Sequence, residues 1–200
     1  MPTPPGTGVT ALTLFPMFLF TSPTIPSSSK LIPTSIITLL SLKYDSGYFS
    51  RVEAIEFAVR YDDGKDPRGL RTADVGIIGV SRTSKTPLCM YLANKSIRAT
   101  NIPLVPELPV PKVIFEVPSS KIIGLTNSPE KLIRIRKERM KSMGLNADTS
   151  YTNLARIFEE IEFANEVMKK IGCPIIDVSD KAIEETADLV IRHLKKINQI

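Results

Sequence analysis

Residues 73–95 read ADVGIIGVSRTSKTPLCMYLANK, and no other stretch restricts the fold as tightly. Ala73–Val80 is a short apolar run of the length and composition of a buried strand. Ser81–Thr86 is a polar turn carrying Arg82 and Lys85, and Pro87–Ala93 resumes a helical apolar pattern. Pro87 is compatible with a first helical turn, where its missing N–H has no intrahelical use. Strand, small-residue loop, Lys-Thr and helix is the order of a phosphate-binding loop. Free backbone N–H groups at a helix start, with the helix dipole behind them, attract anionic oxygens. A lysine adds a point charge for the outer phosphates, and the Thr86 hydroxyl suits a magnesium ion.

The segment departs from the G-x-x-x-x-G-K-[ST] pattern at one place. Gly79-Val-Ser-Arg-Thr-Ser84-Lys85-Thr86 puts serine where the second glycine stands. Glycine reaches backbone conformations that strain other residues, so a generic strand-to-helix connection stays open as the other reading of the motif.

Around this centre the chain alternates strand and helix signals. A helix is expected from Ser50, with Val52, Ile55 and Val59 on one stripe, ending in the turn residues Asp62-Asp63-Gly64. Ile102–Val105, Val113–Val117 and Ile122–Leu125 read as buried strands or extended segments. Ser128-Pro129-Glu130 opens a helix and Gly144 stops it, with Leu132, Ile135 and Met143 as its apolar stripe and Arg134, Lys137 and Lys141 on another face. Ser150–Ile171 reads as a long amphipathic helix, with Leu154, Ile157, Phe158, Ile161, Ala164, Met168 and Ile171 inward and Glu159, Glu160, Glu162 and Glu166 outward. Gly172 ends it, Pro174–Val178 is a strand, and Ser179 or Asp180 caps a last helix whose buried stripe is Ile183, Ala187, Val190, Ile191, Leu194 and Ile197. This alternation implies an α/β fold, a mainly parallel sheet with flanking helices, P-loop kinase-like in outline. Ligands of such sheets collect at the carboxyl ends of the strands, where Ser81–Thr86 would lie.

The balance of 26 Lys+Arg against 21 Asp+Glu is mildly basic and suits phosphate-bearing ligands. The charges are interleaved without a basic-aromatic ladder, which argues against nucleic acid. Cys89 and Cys173 sit beside apolar residues and read as buried thiols in a reducing compartment. No Cys/His cluster suggests zinc, and His193, beside Arg192 on a polar face, reads as a surface residue.

Asp62 and Asp63 stand as a solvated turn on spacing alone, and as magnesium ligands or proton acceptors if they approach the loop. Arg136 and Arg139, one turn apart, read either as a solvated face or as guanidinium groups that offset charge on a transferring phosphoryl group.

Several separated blocks together carry a family resemblance. GVSRTSKTPLCMYLANK, flanked by YFSRVEAIEFAVRYDDG and followed by IPLVPELP, KIIGLTNSPEKLIRIRKERM and CPIIDVSDKAIEETA, resembles the pyruvate, phosphate dikinase regulatory proteins, which share a family with the phosphoenolpyruvate synthase regulatory proteins. The resemblance runs from about Tyr48 to the C-terminus, and that family's own loop also carries serine before the lysine.

The resemblance implies a bifunctional enzyme. One activity phosphorylates a threonine of the dikinase with ADP as donor and inactivates it; the other removes that phosphate with inorganic phosphate and releases pyrophosphate. By position, Gly79, Val80, Ser81, Arg82, Thr83, Ser84, Lys85 and Thr86 would bind ADP or phosphate. Lys85 would neutralise charge, Thr86 would ligate magnesium and Arg82 would contact the transferred group. Asp62 or Asp63 would activate the threonine hydroxyl. Leu132, Ile135, Arg136 and Arg139 match a family pattern of leucine, Ile-Arg and a further arginine. The implied partner is the dikinase, or the synthase; the DDGKDPRGLRTADV stretch looks closer to the dikinase branch. A cytoplasmic protein without nucleic acid or membrane partners is expected, with a homodimer left open. The alternatives are an ATP-dependent P-loop kinase of small molecules and a truncated, non-catalytic nucleotide-binding fragment.

Residues 1–43 differ in composition from the rest: no Asp or Glu, Lys30 and Lys43 as the only charges, and clustered proline. Their apolar pieces fall short of the roughly 18 residues of a spanning helix, and no basic start marks a secretory signal. They do not resemble the longer N-terminal part of the family. The expectation is an irregular tail over 1–47, foreign to the family through a shifted or mis-started reading frame, followed by one domain over 48–200.

Overall fold

The computed structural model describes residues 46–146 and 149–197. The expectations for the segment before Ser46 therefore lie outside the described residues. Helix α1 (Ser46–Arg60) leads through 3₁₀ turns at Asp62–Gly64 and Pro67–Arg71 into strand β1 (Val75–Gly79). The order continues with α2 (Lys85–Ala93), β2 (Ala99–Pro103), the single turn α3 (Val113–Glu116), β3 (Ile122–Thr126) and α4 (Pro129–Ser142). A 3₁₀ turn at Ser150–Thr152 precedes α5 (Leu154–Ile171), β4 (Ile175–Asp177) and α6 (Ile183–Lys196).

The four strands form one parallel sheet in the order β2-β1-β3-β4. β1 is central and buried along its whole length, as an all-apolar strand covered on both faces must be. Alternation along the strands divides the core in two. Val75, Ile77, Ile123 and Leu125 meet Ala54, Ala58, Leu88, Leu92, Val190 and Leu194 on one face. Ile78, Val80, Ile102 and Ile122 meet Leu70, Ile114, Leu132, Ile157 and Met168 on the other. The expected α/β architecture with flanking helices is what forms.

Local boundaries depart from expectation for physical reasons. In α1 the buried residues are Ala54 and Ala58, whereas Val59 is exposed; small side chains one turn apart bring the helix close to α2. Val113–Glu116 is a helical turn, not a strand, closed by Ile114 N–H to Pro111 O and Phe115 N–H to Lys112 O. A run this short carries no period to separate the two. Ser128 caps α4 as expected, accepting the Lys131 N–H, but Met143 at its far end is exposed.

In α5, Leu154 and Phe158 are exposed, and Glu160 shares the inward stripe of Ile157, Ala164 and Met168. The last helix starts at Ile183 after Ala182, not at Ser179 or Asp180. Ser179 is already committed: its hydroxyl lies 2.5 Å from Asp177 Oδ1 and accepts the Ser128 N–H at 2.8 Å. The expected stripe of α6 stands, with Ala187, Val190 and Leu194 buried. His193 reaches the Ser120 carbonyl at 2.8 Å.

Cys89 and Cys173 are buried and unpaired. Burial pushes the Cys89 thiol up to about 12, so it stays protonated and unreactive.

Candidate functional site

The site forms where β1 ends and α2 begins. Gly79 has φ of +148°, and a Cβ there would stand 2.3 Å from the Leu125 carbonyl oxygen of β3, so only glycine fits. Beyond it, Arg82 (φ +71°) and Ser84 (φ +59°) both take the left-handed conformation. The glycine position that serine fills is thus a left-handed one, and the chain adopts it regardless. Such backbone strain in non-glycine residues persists where surrounding contacts over-determine it.

One carbonyl organises the loop interior. Val80 O accepts from Thr83 Oγ1 at 2.9 Å and from Lys85 Nζ at 2.7 Å. Thr83 and Lys85 are buried while Ser84 and Thr86 face out. Burial pulls the Lys85 ammonium down to about 8, and the nearby Asp63 carboxylate works against that fall. The Ser84 side chain makes no cap bond, so the first-turn amides of α2 keep no intrahelical partner.

Asp62 and Asp63 come to the loop from the turn after α1. Thr86 Oγ1 donates to Asp62 Oδ1 at 2.9 Å. Asn101 of β2, fully buried, holds the turn in place: its Nδ2 reaches Asp62 Oδ1 at 2.5 Å and Thr86 Oγ1 at 3.3 Å, and its Oδ1 accepts the Asp63 N–H at 2.8 Å. Asp63 also has positive φ, +56°. The result is a cleft of about 360 Å³ lined by Asp62, Asp63, Ser81, Arg82, Ser84–Pro87 and Ile135. A larger hollow of about 740 Å³ lies against α1 at Phe57, Tyr61 and Arg98. There Arg98 is already paired with Asp74 at 2.9 Å, and no residue of the Gly79–Thr86 loop lines the space.

The two arginines of α4 are placed differently from the expectation that both reach a phosphoryl group. Arg136 lies one turn after Leu132 on the inward stripe and is fully buried. Its Nη2 reaches Glu160 Oε2 at 2.6 Å and Ser81 O at 3.4 Å, and its Nη1 reaches Tyr151 O at 3.1 Å. It braces the loop from behind and does not line the cleft. Arg139 is exposed in the last turn of α4 and makes no contact with the loop among the described residues.

Asn101, Tyr151 and Glu160 were missed in the sequence. Asn101 had a signal, being an amide beside the apolar run from Ile102; the expected strand began at Ile102, three residues after its actual start at Ala99. Tyr151 and Glu160 had none, because their partners are distant in the chain.

The arrangement is able to seat a phosphate. It offers loop amides, a buried lysine, a hydroxyl-carboxylate pair and a second carboxylate at the mouth. The model of a family described as kinase/pyrophosphorylase matches residues 19–191, beginning ahead of Tyr48. The chain belongs to the kinase/pyrophosphorylase family. It is 60% identical over 154 residues to a putative pyruvate, phosphate dikinase regulatory protein of Clostridioides difficile, covering 77% of this chain and 55% of that protein. A protein of the same description from Streptococcus uberis is 59% identical over 158 residues, 79% of this chain and 58% of the relative. The chain therefore spans little more than half the length of these relatives.

Proposed function

We propose that the cleft between the Gly79–Thr86 loop and Asp62-Asp63 is a phosphoryl-transfer site that uses ADP and inorganic phosphate on a threonine of pyruvate, phosphate dikinase. The observation that carries this reading is the convergence of Lys85, Thr86 and Asp62 on one cleft at the start of α2. Membership in the kinase/pyrophosphorylase family and the names of the relatives support the reaction class and the target.

In the forward direction the threonine oxygen bonds to the terminal phosphorus of ADP, the bridging P–O bond breaks and AMP leaves. In the reverse direction an oxygen of orthophosphate attacks the phosphothreonine phosphorus, and threonine leaves as pyrophosphate forms. Both directions place an anion on the same loop amides, with Lys85 compensating its charge. The carboxylate that takes the hydroxyl proton comes from Asp62-Asp63. Asp63 is the freer of the two, since Asp62 Oδ1 already accepts from Thr86 and Asn101. Arg82, at the cleft wall, faces the transferred group.

Among the described residues no three His, Cys, Asp or Glu side chains form a metal cage. Magnesium that accompanies a diphosphate needs only one or two protein oxygens, the rest of its shell being phosphate and water. Thr86 Oγ1 and the Asp62 carboxylate fit that role, and a magnesium ion there would neutralise phosphate charge. No helix of the described residues is long and apolar enough to cross a membrane. The two buried, unpaired thiols support a cytoplasmic location.

The test is a calorimetric titration of the purified chain with ADP, ATP and orthophosphate, followed by threonine phosphorylation of purified dikinase. Binding of ADP and phosphate, with ADP preferred as donor, is the expected result. No heat with either ligand sinks the reading, and a preference for ATP selects an ordinary small-molecule kinase. Binding without turnover marks the chain as a nucleotide-binding fragment.

A further inference from the structure

Arg82 holds a conformation that its own chain does not favour, and a residue from another part of the molecule fixes it there. Its Nε donates to the Tyr151 hydroxyl oxygen at 3.2 Å. The same oxygen lies 3.3 Å from Ser81 Oγ. Because the phenol accepts from Arg82, its own hydrogen is free to go to Ser81, so one hydroxyl ties two successive loop residues.

Tyr151 is itself held from both ends. The Arg136 guanidinium carbon stands 4.5 Å from its ring centroid, and Arg136 Nη1 takes its carbonyl at 3.1 Å. Arg136 in turn is fixed by Glu160. The 3₁₀ turn between α4 and α5 thereby presents a phenol at a set height against the loop.

What this leaves free is informative. Arg82 is exposed at the cleft wall, and Nη1 and Nη2 make no hydrogen bond among the described residues. A guanidinium anchored through Nε offers its two remaining amino groups as a rigid fork, the geometry that grips two oxygens of one phosphate. Without an anchor, ordering this long side chain would oppose binding.

We infer that Tyr151 is a positioning residue that pre-orients Arg82 to take a phosphate group through its Nη1–Nη2 edge. This rests on the anion-binding reading of the cleft and adds to it a residue from the α4–α5 connection.

The experiment is a double-mutant cycle read by calorimetry with ADP and with orthophosphate, on the full chain, Tyr151→Phe, Arg82→Gln and the double variant. Tyr151→Phe keeps the ring over Arg136 and removes only the hydroxyl. It should weaken both ligands on the order of tenfold, about the worth of one charge-assisted contact. In the Arg82→Gln background the same substitution should change nothing further, a dependence that general loosening of the fold would not produce. Arg82→Lys keeps the charge without the Nε anchor and should also weaken binding, a check that holds even if Tyr151→Phe fails to fold. Unchanged affinity in Tyr151→Phe, additive losses in the double variant, or parent-like affinity in Arg82→Lys each overturn the inference while leaving the anion site standing. A parent chain that binds neither ligand removes both.

Discussion

Thr86 and Asp62, separated by 24 residues, share a hydrogen bond of 2.9 Å that joins the start of α2 to the turn after α1. Asn101 contacts both members from below. The hydroxyl and the carboxylate are therefore one unit, set before any ligand arrives. If the pair holds magnesium as proposed, Thr86→Val and Asp62→Asn should each weaken magnesium-dependent ADP binding by about tenfold or more, since each would remove an oxygen from the metal's shell. Orthophosphate measured without magnesium should respond much less. Equal ADP affinities with and without the metal in the parent chain would refute this division of labour.

Ser84 sits at φ +59° and its side chain caps nothing. Glycine accepts that conformation at no steric penalty, whereas a β-branched residue resists it by about 1–2 kcal/mol. Ser84→Gly should fold with unchanged or slightly raised stability and retain ADP binding; Ser84→Val should lower stability by that amount. Urea unfolding with an unchanged slope reads both. A clear loss in Ser84→Gly would assign the hydroxyl a role that its contacts do not show.

Lys85 gives the pH dependence. Its folded value is lowered to about 8 from 10.5 in the unfolded chain, chiefly by burial. The folded state holds the proton less tightly, so stability is lower below pH 8 and rises as pH climbs from about 8 toward 10.5. The proposed anion binding should run the other way, because it would use the ammonium. ADP affinity should fall as pH rises through about 8, and binding above that pH should take up a proton, visible as heats that vary with the buffer. Lys85→Met should abolish the binding without lowering the unfolding midpoint at neutral pH. A destabilised Lys85→Met would mean that the Val80 contact outweighs the burial of charge.

How much of this was legible follows from where the information lies. The Gly79–Thr86 loop was readable because strand, turn and helix are consecutive in the chain; the partners that hold it, Asp62, Arg136 and Tyr151, are distant and were not. The parallel sheet followed from the strand-helix alternation, and the α4 start from Ser128-Pro129-Glu130. The DDG turn was readable only as a choice between solvent and site; Asn101, on a different strand, decides that it reaches the loop. Arg136 was misplaced because a charge run on a helix gives no sign of which member turns inward. That depends on Glu160, which spacing along α5 alone assigned to the outer face. Ser84 shows the converse: a local rule was broken at the glycine position, and surrounding contacts held the left-handed turn anyway.

The Arg136–Glu160 pair supplies the last prediction. Arg136 has no solvent exposure, while the Glu160 side chain keeps 12% and has Arg156 Nε 3.7 Å away. Losing either partner leaves a charge behind, but the two charges are not equally stranded. Glu160→Ala strands a buried guanidinium and should lower stability by about 3–5 kcal/mol. Arg136→Met strands a carboxylate that still has Arg156 and some water, so its loss should be smaller. The pair Arg136→Met with Glu160→Leu should recover much of the difference, as apolar replacement of a buried ion pair often does. Arg139→Ala, at an exposed position, should stay within about 0.5 kcal/mol. Because Arg136 also holds Ser81 O and Tyr151 O, the apolar pair should regain stability without regaining full ADP affinity. Urea unfolding and calorimetry on the same four variants separate the two effects; parallel recovery of both would show that the guanidinium braces the fold and not the loop.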